Sequence, residues 1–312
     1  MGSVVAGGLL REGHCVRVLD SLLHGGHSIS GLYLDDNFSF VRGDIRCDDA
    51  VDEALEDAEA VVHLAAIVGD PACARQPQLA REVNLDAALR VFELSRRRGV
   101  QRFIFASTCS NYGKMADSSQ YITEDSELRP VSLYAETKVA VERTLMDFQE
   151  DDGPSKTILR FATLFGLSPR MRFDLTVNSL TMELLTKGQA EVYGEQFWRP
   201  YTHVRDAAQA IITVLHSPVE KVRGQVVNVG DTSQNYTKGQ LVELICSQID
   251  NPVQLKQVHK NDDPRDYRVS FEKIQRQFGF EITRTVEDGI REIIDVINQG
   301  VFTEFDDPRY RN

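Results

Sequence analysis

Three residues in two short runs have the types and spacing for proton transfer. In SLYAETK, Tyr134 and Lys138 stand at i and i+4 of a predicted helix, so both side chains fall on one face. A phenol loses its proton at about pH 10, so a tyrosine that exchanges a proton with a hydroxyl at neutral pH requires a nearby cation. Lys138 is placed to supply one. In FASTCSNYG, Thr108 lies just past a predicted strand, where its hydroxyl could orient the same reacting group. A YxxxK spacing by itself is weak: among nine tyrosines it is expected about once by chance, and an exposed helix pair would explain it.

Upstream, acidic and small residues close successive β-branched runs. Asp20 ends CVRVLD, and a carboxylate at the end of such a strand can accept from both hydroxyls of an adenosine ribose. It would repel a 2′-phosphate, which favours NAD over NADP. In VRGDIR, Asp44 can meet an adenine amino group and Ile45 can cover the ring. Ala65 and Ala66 of VVHLAA are small enough to let backbone approach a dinucleotide. Each has a bland reading as surface carboxylate or core filler. Their order carries the argument, since open α/β sheets bind ligands at the carboxyl ends of successive strands.

The elements that must position these residues can be placed from periodicity. Strands are expected at Cys15–Asp20, Phe38–Val41, Ala60–Leu64, Phe103–Ser107 and Thr157–Phe161, with helices at Asp49–Glu56, Pro77–Arg98 and Ser132–Phe148. That alternation predicts an α/β fold, a doubly wound parallel sheet with helices on both faces. Beyond Phe161 the alternation loosens into helices near Asp174–Lys187, Asp206–His216, Lys238–Ile249 and Val286–Gln299, and strands near Ala190–Tyr193 and Gln225–Val229. The expected division is a dinucleotide-binding domain over 1–165 and a smaller α/β substrate lobe over 166–312, with sheet-completing segments around 200–232.

A net charge of -12 argues against a nucleic-acid binder, which needs basic patches to neutralise phosphates. Five scattered cysteines without CxxC spacing fit reduced thiols in a cytoplasmic protein, and no apolar run is long enough to span a bilayer. No metal site is suggested, since His24 and His27 in LLHGGHS lack a third ligand at suitable spacing. His203 is expected to serve the local fold and Asp206 to cap the helix that follows.

Taken together, HLAA, STCSNYG, YAETK, RFATLFG and RPYTHVRDAA occur in an order that resembles the extended short-chain dehydrogenases/reductases of the nucleotide-sugar epimerase/dehydratase family, Rossmann-type NAD enzymes. The resemblance implies Tyr134 as catalytic acid/base, Lys138 as its partner on the nicotinamide ribose, and Thr108 as the third member. It further implies Asn84 and Phe161 near the cofactor, Asn178 and Arg199 on the nucleotide diphosphate, and Lys260 with Asp263 near an R-x-x-D motif. Lys260 departs from the usual Arg and would supply charge without a bidentate fork. A homodimer through a four-helix interface is also implied.

Within that family, 4,6-dehydratases place an acidic pair after the Thr, where this chain has Cys109 and Ser110, so dehydration is disfavoured. The family's 3,5-epimerases and epimerase-reductases place a cysteine two positions after the catalytic Ser, which is Ser110 here; Cys109 comes one position early and reads better as a small buried thiol beside a strand. The remaining expectation is 4-epimerisation of a nucleotide-diphosphate sugar with recycled NAD. The alternatives are a 4-keto-sugar reductase and, from a different class, an inactive dinucleotide-binding remnant or sensor. The last arises because the family opens with a strand and a G-x-x-G-x-x-G turn that holds pyrophosphate. Here MGSVVAGGLLREGH enters in the helix, with Gly2 at the place of the third glycine. A first strand missing from the middle of a 3-2-1-4-5-6 sheet would leave two interior edges, with poor folding and weak cofactor binding. A start misplaced at an internal Met explains this better than an inactivating truncation, because every later functional position holds suitable chemistry.

Overall fold

The computed structural model describes residues 1–115, 117, 120–148, 153–250, 252–258 and 265–312. Helix α1 (Gly2–Arg11) turns at Gly13, whose φ of +83° suits a residue without Cβ, into β1 (Val16–Asp20). Next come β2 (Phe38–Arg42), α2 (Asp48–Ala54), β3 (Ala60–His63), α3 (Asp70–Arg75), α4 (Pro77–Arg81) and α5 (Ala88–Arg97). Where the periodicity predicts one helix from Pro77 to Arg98, a π-helical turn at Glu82–Ala87 joins α4 to α5. The chain continues through β4 (Arg102–Thr108), α6 (Leu133–Asp147), β5 (Ser155–Phe161), β6 (Thr163–Phe165), α7 (Thr176–Lys187) and β7 (Gln189–Tyr193). It then forms β8 (Trp198–His203), α8 (Val204–His216), α9 (Val219–Val222), β9 (Gln225–Val229), β10 (Asn235–Thr237), α10 (Lys238–Cys246), β11 (Gln254–Val258), α11 (Glu272–Phe278) and α12 (Val286–Asn298).

Strand alternation divides the core into two faces. On β4 and β5, Phe103, Phe105 and Ile158 point to a cluster with Val51 of α2, Val91 and Phe92 of α5, and Val141 and Leu145 of α6. Ile104, Ala106 and Leu159 point the other way, toward Val5 of α1, Ile211 of α8 and Ile274 of α11. The sheet between them is all-parallel in the order β3-β4-β5-β9, with Thr108 opposite Phe161 and Phe161 opposite Val229. This is the doubly wound, Rossmann-type arrangement that the sequence pattern predicts. Residues after Phe165 build further cores around Val177, Tyr201, Leu241 and Ile290, and around Met171, Phe173 and Ile293. Two smaller sheets, β10-β8-β6 and the parallel pair β11-β7, accompany them.

Among the described residues, β1 pairs with β2 alone and β3 with β4 alone, so each keeps one unpaired edge. Helix α1 links the two sheets by packing instead of by a ladder. Its first residue, Gly2, lies beside Leu64 just after β3, and Gly8 sits so close to Ile212 of α8 that a Cβ there would meet Ile212 Cδ1 at 2.6 Å. No helix among the described residues is long and apolar enough to cross a membrane.

Candidate active site

The site rests on a buried polar network beneath the carboxyl ends of β4 and β5. Glu142, one turn beyond Lys138 on α6, receives Arg160 through Nε at 3.1 Å and Nη2 at 2.7 Å, and both side chains are buried. Asn111 donates to the same carboxylate at 2.8 Å, and Ser107 also hydrogen-bonds it. Arg160 further donates to the Tyr112 hydroxyl at 2.9 Å, which donates to Asn228 at 2.7 Å. A charge pair this deep is tolerated only when its remaining donors and acceptors are met, and here they tie α6, β4, β5 and the STCSNY turn together.

On that base, Lys138 lies 2 % exposed and donates from Nζ to the Ala106 carbonyl at 2.8 Å, two residues before Thr108 on β4. Its Nζ also sits 4.6 Å from the Phe105 ring centroid and 6.0 Å from that of Tyr134. Burial lowers the Lys138 pKa to about 8, with Glu142 opposing the fall. The half-buried Tyr134 moves oppositely: burial pushes its phenol well above 10, reinforced by Cys73 and Asp70, and Arg172 offsets only part of this. The expected lowering of this phenol rests on two cations, Lys138 and the positively charged nicotinamide. Desolvation is the largest effect on the phenol, and it draws Lys138 down as well. Thr108 caps the short turn Cys109–Tyr112 by accepting from Ser110 N at 3.1 Å, and its hydroxyl lies 3.1 Å from Ser110 Oγ.

The residues expected at the cofactor lie at the end of β1, after β2, in the loop after β3, on the π-helical turn and at the end of β5. Asp20 is exposed at the end of β1, where one carboxylate oxygen accepts from Leu22 N at 2.6 Å and no hydrogen bond from the described residues is seen at the other. Asp44 is held by Arg46, whose Nε and Nη2 reach it at 3.1 and 2.8 Å, and this pairing keeps its carboxyl below the usual range. Ile45 packs against the core face formed by α2, α5 and α6. Ala65 and Ala66 lie in the loop after β3, half-buried, and Phe161 ends β5 beside Thr108. Asn84 is fully buried on the π-helical turn; it accepts from Ile67 N at 2.7 Å and donates to Ile67 O at 3.0 Å. Its amide thus fixes the Ala65–Ala66 loop. π-turns inside helices often mark such functional positions.

Farther along, Asn178 is also fully buried, accepting from Gly166 N at 2.9 Å and donating to Arg172 O at 2.9 Å, so it shapes the 166–172 loop. Arg199 on β8 donates to Trp198 O at 2.7 Å and lies 5.4 Å from the Tyr267 ring centroid. Lys260 and Asp263 lie outside the described residues. Sequence reasoning missed the ion pair of Arg265 with Asp70 at 2.8 Å, which joins the loop after β3 to the far part of the chain. It also missed Glu142, although Tyr134, Lys138 and Glu142 recur every four residues along one helix face.

One assignment needs adjustment. Asp206 does not cap α8; His203 does, accepting from Arg205 N at 3.2 Å. Asp206 lies in the first turn, and its carboxylate accepts from Thr283 N at 2.9 Å and Arg284 N at 3.0 Å. Cys109 is buried, its thiol pushed up by desolvation and donating to Arg160 O at 3.2 Å, which suits packing and not acid/base work.

Residues 1–230 match the NAD dependent epimerase/dehydratase family. The chain belongs to that family. An uncharacterized UDP-glucose epimerase, YtcB, of Bacillus subtilis is 30% identical over 207 residues, covering 65% of this chain and 62% of its own length. A dTDP-glucose 4,6-dehydratase of Streptomyces niveus is 28% identical over 297 residues, covering 91% of this chain and 84% of its own. The solved UDP-glucose 4-epimerase of Thermus thermophilus, a complex with NAD, superposes with a TM-score of 0.82 at 25% identity over 96% of both chains. Members of this epimerase/dehydratase family are NAD-dependent enzymes acting on nucleotide sugars, and NAD is the cofactor. The residues present fit it: Asp20 has an oxygen open to a ribose diol, and the buried Lys138 has donors beyond the one given to Ala106.

Proposed function

We propose that the chain is a nucleotide-sugar 4-epimerase that works through a transient 4-keto sugar. The observation that carries this reading is the Tyr134 hydroxyl, for which no hydrogen-bond partner is seen among the described residues, beside Lys138 and with no acidic pair after Thr108. NAD, when bound, supplies the hydride chemistry at C4 and the positive charge that favours the phenolate. Tyr134 takes the proton of the 4-hydroxyl and later returns it. Thr108 orients that hydroxyl, and Lys138 holds the nicotinamide ribose while stabilising the phenolate. Rotation of the keto sugar between the two transfers inverts C4. Cys109 and Ser110 provide no second acid and base, which disfavours loss of water.

In this reading residues 1–165 serve the cofactor and 166–312 the nucleotide sugar, with Asn178 and Arg199 around the diphosphate and the α6 helix within a homodimer interface. A panel of nucleotide-diphosphate sugars tests it. The epimerase converts one of them to its C4 isomer without net change in NADH absorbance. Stoichiometric loss of reduced cofactor on a 4-keto sugar would instead establish a reductase. The unpaired edges of β1 and β3 favour one further reading, a dinucleotide binder without turnover, which NADH binding in the absence of any isomerisation would support.

A further inference from the structure

We propose that Glu12, His14 and His216 form a zinc-binding site that clips α1 and the β1–β2 pair to α8. Glu12 and His14 flank Gly13 in the turn between α1 and β1, while His216 is the last residue of α8, 202 positions away from His14. The three donor atoms converge. His14 Nε2 and His216 Nε2 are 2.9 Å apart, His216 Nε2 is 3.4 Å from Glu12 Oε2, and His14 Nε2 is 4.0 Å from the same oxygen. Bonds of about 2.0–2.2 Å to a tetrahedral Zn²⁺ separate neighbouring ligands by about 3.3–3.5 Å, so this triangle needs only small side-chain rotations to become one face of a tetrahedron. Two imidazoles and a carboxylate are a donor set that zinc takes with water in the fourth place.

A second observation supports a cation at this spot. Both α1 and α8 end here, so the negative ends of two helix dipoles meet at the cluster. Arg102 shares the α8 end, donating to the Leu215 and Ser217 carbonyls at 2.6 and 2.7 Å and to none of the three ligands. All three side chains are partly exposed, which leaves an entry path.

The placement gives the ion a structural consequence. β1–β2 and the β3-β4-β5-β9 sheet share no ladder among the described residues, and α1 joins them by packing on α8. A bridge from the end of α1 to the end of α8 would lock that packing at the point where the chain passes into β1.

The test is calorimetric titration of ZnCl2 into the full chain, after treatment with EDTA, alongside His14→Gln, His216→Gln and Glu12→Gln. The expected result is one equivalent bound per chain at micromolar affinity or better. Saturating zinc should raise Tm by roughly 5 °C, reversibly with EDTA. Both histidine variants should lose the equivalent and the Tm rise, and Glu12→Gln should weaken affinity at least tenfold. Because the three positions are partly exposed, Tm values in EDTA should match the parent, separating loss of metal from loss of fold. No binding to the parent at micromolar zinc would overturn the proposal. So would one equivalent retained undiminished in His14→Gln and His216→Gln, which would place the ion elsewhere.

Discussion

The half-buried Tyr134 and the buried Lys138 are driven toward their neutral forms from opposite directions, the phenol upward and the ammonium down to about 8. In the proposed mechanism, proton transfer at neutral pH depends on the charge brought by the cofactor, which would make Tyr134 indispensable for turnover and dispensable for binding. Tyr134→Phe should lower kcat by roughly a thousandfold or more while NADH affinity, read by fluorescence, stays within about threefold of the parent. Unchanged turnover would remove Tyr134 from the mechanism. Beneath them, His63 stacks between Phe103 and Phe105, and burial followed by the charge of Lys138 drops its pKa from 6.5 to about 3. The folded state therefore keeps His63 neutral while an unfolded chain takes up a proton below 6.5, so its contribution to stability is full above 6.5 and falls as pH drops toward 3. His63→Leu should lose less Tm than the parent between about pH 7 and about pH 4. An equal loss in thermal melts would show that other groups set the acid sensitivity.

The elements position these side chains through the Glu142–Arg160 pair, which joins α6 to β5. Removing one member strands the other charge, so Glu142→Ala should destabilise the chain by about 3–5 kcal/mol in urea unfolding. The double change Glu142→Leu with Arg160→Met should recover most of that loss, and failure to do so would mean that packing, not stranded charge, sets the cost. Much at this scale was legible in the sequence. β-branched runs marked β1 to β5 and β9 closely, because strands buried on both faces read as near-continuous apolar stretches. β8 escaped notice because WRPYTH mixes Arg, Pro and His into a strand, and β6 and β10 are only three residues each. The motifs singled out Asn84 and Asn178, but these hold loops through buried amides, a role no spacing reveals. Arg265 meets Asp70, and His216 meets His14, only because the fold brings distant segments together.

At the scale of the molecule, the β3-β4-β5-β9 sheet is covered on both faces, whereas β1–β2 is a two-stranded unit attached through α1. Two-stranded units are marginal by themselves, so local opening should be easiest there. Hydrogen exchange should find the amides of β1 and β2 exchanging at least a hundredfold faster than those of β4 and β5. Equal protection would mean that α1 packing alone secures the pair as firmly as a ladder. The same unit carries Asp20, so in the proposed cofactor placement its stability would bear on how the adenosine end is held. The account as a whole turns on whether one hydride leaves C4 and returns to it within a single chain, and an isotope measurement addresses that step. The nucleotide sugar that turns over is supplied with deuterium at C4, in the presence of an excess of unlabelled NAD, and the C4 isomer is examined by NMR and mass spectrometry. The account predicts a product that keeps its deuterium at C4 while free NADH gains none. Deuterium lost to water or released in free NADH would contradict a recycled hydride and with it the proposed 4-epimerase.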